Sequence, residues 1–333
     1  MTDRQEWNRC RYVRGSREGH YESWFQRANH PDRPLAFWIR YTIFSPKDRP
    51  DEAVGELWAI YFDGEKHRIA AVKKALPISA CAFTQGDRDF HFRVGAAILT
   101  QDRLEGRVTT EKHALQWQLR YEGGQEPMLL LPHKFYDGGF PKAKALVGMP
   151  NAIFSGEFTV DGVPVSIDRW QGSQNHNWGS RHTDSYAWGQ VAGFDNAPEA
   201  FLECSTARLK LGPFWTPPMS LVVLRIDGRE IALNGILRAL RAKSQFDFFD
   251  WRIESQTEDV RIALRVHAPR DAFVGLVYDN PPGGMKTCLN SKLATCELTL
   301  EEPGKPARML IARDRAAFEI LTDRDDHGVA VVA

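Results

Sequence analysis

The densest run of reactive side chains is Gln174-Asn175-His176-Asn177-Trp178-Gly179-Ser180-Arg181-His182-Thr183-Asp184-Ser185-Tyr186-Ala187-Trp188-Gly189-Gln190. Its mixture of His, Trp, Asp, Arg and Tyr suits a site where a few polar groups position a ligand against aromatic walls. The same composition also suits a polar loop whose Trp residues plug the ends of two barrels, and spacing alone leaves both readings open. His176 has the chemistry of a general acid, a proton relay or a hydrogen-bonded core histidine beside Trp178. Asp184 in this run, and Asp195 and Glu203 in or beside the strands that follow, are the nearby carboxyls. A carboxyl buried against aromatic rings has its pKa raised and stays protonated near neutrality. Asp195 precedes Asn196 in a turn-like pair and reads as a surface carboxylate. The alternation around Phe201, Leu202 and Cys204 leaves the side of Glu203 undecided. The rings of Trp178 and Trp188 offer faces to a passing cation, worth about 2 kcal/mol or more when dry; packed alone they are simply core.

Other chemistries find little support. A metal site needs a further ligand beyond His176, His182 and Asp184, and their spacing differs from the short ligand pairs of zinc motifs; no metal is expected. The chain carries no phosphate-binding loop, dinucleotide fingerprint, His-Glu-x-x-His or Gly-x-Ser-x-Gly elbow. Its five cysteines (Cys10, Cys81, Cys204, Cys288, Cys296) are scattered and never in Cys-x-x-Cys spacing, so they read as reduced thiols. The 43 Lys and Arg balance the 43 Asp and Glu, so no net field draws in nucleic acid or anionic lipid. No charge-free apolar stretch reaches the roughly 18 residues of a membrane helix, and Met1–Trp7 lacks the pattern of a secretory signal. The expectation is a cytoplasmic protein without stable membrane insertion. Its oligomeric state is left open.

The elements that must hold these groups are mainly strands. Phe37–Phe44 and Leu115–Tyr121 alternate in the two-residue period of a sheet, and similar runs recur at Phe90–Val94, Phe154–Val160, Tyr186–Phe194, Phe201–Leu209, Leu221–Ile226, Phe246–Ile253, Val260–Val266 and Leu293–Leu300. Between them stand Asp63-Gly64, Asp161-Gly162, Asp227-Gly228 and Asn234-Gly235, dipeptides that accept the positive φ of tight hairpins. Short helices are expected only near Arg14–Arg27, Pro141–Val147 and Leu237–Lys243. A hairpin chain without crossover helices closes its sheets or packs them face to face. At 333 residues the chain exceeds the size of one ordinary core. The polar run Trp170–Asn175 has the composition of a domain joint, which divides the chain into 1–172 and 173–333. No internal repeat is visible in the sequence.

The core Asn175-His176-Asn177-Trp178-Gly179, followed by Tyr186-Ala187-Trp188-Gly189-Gln190, resembles the central signature of the family of tocopherol cyclases, carotenoid 1,2-hydratases, kievitone hydratase and AttH-like proteins. Ala28–Thr42, and Phe140–Lys144 leading to Phe154–Glu157, resemble other stretches of that family in the same order, so the likeness extends from about Tyr21 to Phe194. The resemblance implies an all-β chain of two lipocalin-like antiparallel β-barrel domains with a pocket at or near their junction. It also implies cofactor-independent chemistry: protonation of an isoprenoid or similar alkene, with capture of the cation by water or an internal hydroxyl. In hydratase and AttH-like members acidic residues flank the motif histidine, whereas this chain has Asn175 and Asn177, so the acid must come from elsewhere. The expected catalytic residues are His176, Asp184 and Glu203, and the expected ligand-binding residues are Asn175, Asn177, Trp178, Tyr186 and Trp188. The leading expectation is a hydratase or cyclase of a hydrophobic terpenoid or polyketide-like molecule. The alternative is a non-catalytic carrier of an apolar ligand.

Overall fold

The computed structural model describes residues 4–83 and 91–332. A short helix, α1 (Arg4–Asn8), precedes a meander of β1 (His20–Asn29), β2 (Leu35–Ser45), β3 (Val54–Asp63) and β4 (Arg68–Pro77). A second meander follows with β5 (Cys81–Phe83), β6 (His91–Val94), β7 (Ala97–Thr100), β8 (Arg103–Thr109) and β9 (Ala114–Gly123). The short β10 (Met128–Leu129) pairs with the first of two long strands, β11 (Ala143–Val160) and β12 (Val163–Gly179). Strand β12 returns to β1, giving the order β4-β3-β2-β1-β12-β11-β9-β8-β7-β6-β5 in one nearly closed antiparallel sheet. The close crossing of β12 over β1 requires Gly172, where a Cβ would meet the Arg27 carbonyl oxygen at 1.9 Å.

The second sheet repeats the plan. It begins with β13 (Ser185–Phe194) and β14 (Ala197–Arg208), and the small hairpin of β15 (Lys210–Leu211) and β16 (Phe214–Trp215) stands apart. It continues through β17 (Met219–Ile226), β18 (Arg229–Leu233), helix α2 (Ile236–Arg241), β19 (Lys243–Asp247), β20 (Asp250–Gln256), β21 (Arg261–His267), β22 (Val274–Asp279), β23 (Met285–Glu301) and β24 (Arg308–Thr322). The order β18-β17-β14-β13-β24-β23-β21-β20-β19, with β22 off the path against β23, mirrors the first sheet, with β10 against β11. The repeat that the sequence hides is therefore present in the topology.

Each sheet wraps its own core, the first around residues such as Trp24, Phe37, Tyr41 and Trp117, the second around Val191, Leu202, Trp251 and Phe318. A third cluster lies between the outer walls of the two sheets, where Phe25, Trp38, Trp58 and Phe62 meet Trp188, Leu276, Tyr278 and Leu321. Strands β1 and β2 are thus covered on both faces, with nearly every residue buried.

That double burial explains the departures from expectation. Arg14–Arg27 contains no helix, because Tyr21, Trp24 and Phe25 mimic a helical stripe while β1 buries apolar groups on both faces and loses its visible alternation. Pro141–Val147 likewise leads into β11, whereas the helix expected near Leu237 is present as α2. Phe246–Ile253 is a hairpin, β19 to β20, that turns through Phe249 at a φ of 72°. Asn234-Gly235 starts α2 instead of closing a hairpin, while the other three turn dipeptides do join paired strands. The expected joint at Trp170–Asn175 lies inside β12, and the chain changes sheet between Gly179 and Ser185. Its polar residues read as a linker but are buried strand residues with buried partners, Gln174 with Asn8 and Ser173 with Gln190. Phe90 lies outside the described residues. No helix among the described residues is long and apolar enough to cross a membrane.

Candidate functional site

A cavity of about 280 Å³ lies between the outer walls of the two sheets. The first sheet contributes Phe25 of β1, Arg40 of β2 and Asn175 and Asn177 of β12; the second contributes Tyr186 and Trp188 of β13, Glu203 of β14, Tyr278 of β22 and Glu319 of β24. The segment from Leu130 to Pro141 and helix α2 complete the lining, and the exposed Phe140 and Ile236 mark its solvent side.

Strand alternation divides the motif. Asn175 and Asn177 share the face of β12 that meets the second sheet, whereas His176 and Trp178 point to the other face. His176 stacks on Trp24 at a ring separation of 4.8 Å, with Nδ1 2.8 Å from the Trp7 carbonyl oxygen and Nε2 2.9 Å from Glu22 Oε1. His176 also borders the cavity, but both ring nitrogens are engaged by Trp7 and Glu22. Glu22 is fully buried and also accepts from the backbone N–H groups of Arg11 (2.9 Å) and Tyr12 (3.0 Å). Burial disfavours its charge, but hydrogen bonds from His176 and His20 prevail and hold its pKa at about 2. The His176 pKa is lowered by burial, with the Glu22 hydrogen bond working against the shift. This pair fastens the segment from Trp7 to Tyr12 onto the first barrel. Trp178 packs against Tyr136 and beneath the Arg11 guanidinium, 3.7 Å from its ring centre. Asp184 accepts from Arg181 and from the Lys210 backbone N–H (2.9 Å), and it is not part of the cavity wall.

Glu203 is brought to the cavity. It stands opposite Gln190 in the β13–β14 register and is 2 % exposed. Trp188 Nε1 donates to its Oε1 (2.8 Å) and Gln190 Nε2 to its Oε2 (2.7 Å). Gln190 Nε2 also donates to Asn175 Oδ1 (2.7 Å), and its Oε1 accepts from Arg27 Nε (2.8 Å) and Ser173 Oγ (2.6 Å). Four side chains from both sheets thus fix one amide, and that amide orients the carboxyl. Burial raises the Glu203 pKa, the hydrogen bonds from Trp188 and Gln190 and the charge of Arg27 lower it, and the balance is about 7. A group so placed gains or loses its proton near neutrality, as an acid catalyst must. The second carboxyl on the wall, Glu319, is held by the buried Lys292 (2.8 Å) and by Asn290 Nδ2 (2.9 Å).

A second group on the cavity wall is aromatic and cationic. His182 stacks on Tyr21 at 4.0 Å, and burial with the nearby Arg40 charge brings its pKa to about 3, so its ring is neutral at physiological pH. Arg40 and Tyr278 lie beside it. Arg40, Gln190, Tyr278 and Glu319 did not emerge as site residues from the sequence. Gln190 stood at the end of the central motif without an assigned role, and Arg40 carried a signal as a lone charge within the apolar run Phe37–Phe44. No described group of His, Cys, Asp and Glu is placed to hold a metal ion, and the five cysteines are free.

No protein-family model and no curated protein matches the chain. Solved structures do. An AttH protein from Nitrosomonas europaea aligns with a TM-score of 0.55 at 13% identity, over 94% of this chain and 96% of its own. Kievitone hydratase from Nectria haematococca aligns with a TM-score of 0.55 at 11% identity, over 92% and 89%. CghA aligns with a TM-score of 0.57 at 9% identity, over 93% and 89%. All three belong to the lipocalin-like hydratase and cyclase group that the sequence motifs resemble, and at these identities the likeness shows the common fold.

Proposed function

We propose that the protein is an acid-catalysed hydratase or cyclase of an apolar, alkene-containing small molecule, with Glu203 as the proton donor. The observation that carries this reading is the Glu203 carboxyl, buried on the cavity wall with a pKa of about 7 and oriented by Trp188 and Gln190. In the forward step the carboxyl proton passes to an alkene carbon, leaving a carbocation and the Glu203 carboxylate. The two N–H donors and, through Gln190, the Arg27 charge then stabilise that carboxylate. The Trp188 ring, on the same wall, faces the developing cation. Water or a substrate hydroxyl adds to the cation and returns its proton to Glu203, so the enzyme ends as it began and no cofactor enters the balance. Asn175 and Asn177 supply polar contacts, and the Asn177 Oδ1, buried without a partner, is an acceptor for a ligand hydroxyl or water. Fold likeness to one protein named for its catalysis, kievitone hydratase, supports turnover, although function rests on the site.

A second reading, a carrier that holds the same ligand without turnover, gains from one observation: both ring nitrogens of the motif histidine are already engaged, by the Trp7 carbonyl and by Glu22. The two separate in one experiment. Ligand extracted from the purified protein with organic solvent is identified by mass and incubated with fresh protein in D2O. A hydratase or cyclase incorporates carbon-bound deuterium, and Glu203→Gln reduces the rate by a factor of about 100 or more. Absence of deuterium from the ligand with the unaltered protein defeats the enzymatic reading in favour of the carrier.

A further inference from the structure

Arg40 has no place in that chemistry, and its environment is unusual. It is 5 % exposed and lines the cavity. One terminal nitrogen, Nη2, donates to Ser23 Oγ (2.7 Å), the guanidinium lies 4.5 Å from the Tyr278 ring centre, and its buried Nε has no partner. Among the described residues it forms no ion pair. The acids within its electrostatic range are taken: Glu56 pairs with Lys73 (2.9 Å) and Glu319 with Lys292 (2.8 Å). The other cation on the wall, Lys144, is turned to the carbonyl oxygens of Gly138 (2.7 Å) and Pro141 (3.0 Å).

Arginine keeps its charge in any protein environment, and a buried charge without a counter-ion is among the most unfavourable arrangements a fold can hold. We infer that Arg40 is the anchor for an acidic oxygen of the ligand, so that the natural ligand is an amphiphilic acid, a carboxylate or ionised enol joined to an apolar body. The planar fork of a guanidinium suits such a group, which it binds through two parallel hydrogen bonds. Tyr278 and the neutral His182 belong to the same group on the wall, and the apolar body extends along Phe25 and Trp188 toward Glu203. The inference rests on the proposed function only in taking this cavity as the ligand site. It adds that the substrate is held by its acid at one end and protonated at the other.

The test uses two fluorescent probes with one scaffold, 8-anilinonaphthalene-1-sulfonate and its uncharged parent N-phenyl-1-naphthylamine, titrated into the full-length protein and into Arg40→Met. The unaltered protein should bind the sulfonate at least about tenfold more tightly than the parent, and the two should displace each other. Arg40→Met should weaken the sulfonate by about tenfold or more and leave the parent within about twofold. Equal affinity for both probes, no saturable sulfonate binding, or equal losses of both in Arg40→Met would each overturn the inference. The preference of the unaltered protein decides the matter even if the variant does not fold. Neither probe is a substrate for alkene protonation, so failure here leaves the Glu203 reading standing, and failure to incorporate deuterium leaves this one standing.

Discussion

The protonation of Glu203 links its chemistry to folding, and the perturbation Glu203→Gln reads that link. The carboxyl has a pKa of about 7 in the folded protein against a reference value of 4.5. Between these values the folded state holds a proton that the unfolded chain has released, so stability falls as pH rises. This contribution is fully present below about pH 4.5 and is lost as pH passes through about 7. At 1.36 kcal/mol per pKa unit, the loss amounts to about 3 kcal/mol. His176 and His182 act with the opposite sign, because their lowered pKa values let the unfolded chain bind more protons below about pH 6.5. They are present in both proteins and cancel in the difference. The glutamine carbonyl can accept from Trp188 or from Gln190 but not both, and the orphaned donor sets a pH-independent penalty of about 1–3 kcal/mol. Glu203→Gln should therefore be the less stable protein near pH 4.5 and gain about 3 kcal/mol on the unaltered one by pH 8. Urea denaturation followed by tryptophan fluorescence at a series of pH values measures the difference. A difference that stays constant across this range would falsify the assignment of a raised, buried carboxyl.

His176→Ala should cost about 3 kcal/mol or more in the same denaturation assay, because it strips a partner from the fully buried Glu22 carboxylate. Cavity affinity should change by less than about threefold, and a stable variant with lost binding would contradict the clamp role. Trp188→Phe removes a donor that holds the Glu203 pKa down, so the midpoint of the pH-dependent stability difference should move upward; a midpoint that stays or falls would show that this hydrogen bond does not set the pKa.

Local chemistry fixed a great deal of this protein in advance. The two-residue period of Leu115–Tyr121, Leu221–Ile226 and Val260–Val266 appears as β9, β17 and β21, because a strand with one wet face shows its alternation in the sequence. Asp161-Gly162 and Asp227-Gly228 have positive φ at both residues, between 51° and 84°, because that turn geometry excludes most other residue types. The central motif drew attention to the stretch in which Asn175, Tyr186, Trp188 and Gln190 meet around the cavity wall. Strands buried on both faces gave no such signal, since β1 places Glu22 and Trp24 on one side and Tyr21, Ser23 and Phe25 on the other, all of them buried.

Pairing and register, which are set by residues far apart in the chain, decided the rest. The order β4-β3-β2-β1-β12 turns the outer wall of one sheet toward β13 and β14 of the other, and the cavity lies at that contact. The face of Glu203 was undecidable from its neighbours Phe201, Leu202 and Cys204. The β13–β14 register places it opposite Gln190 and beneath Trp188, where burial raises its pKa. The same parity rule turned His176 and Trp178 inward while leaving Asn175 and Asn177 on the wall. Residue types and spacing determined that this chain would build β-hairpins and where its polar groups would gather. Only the packing of one sheet on the other determined which of those groups lost water and so gained chemistry, because desolvation is a property of the assembled neighbourhood and not of any local stretch.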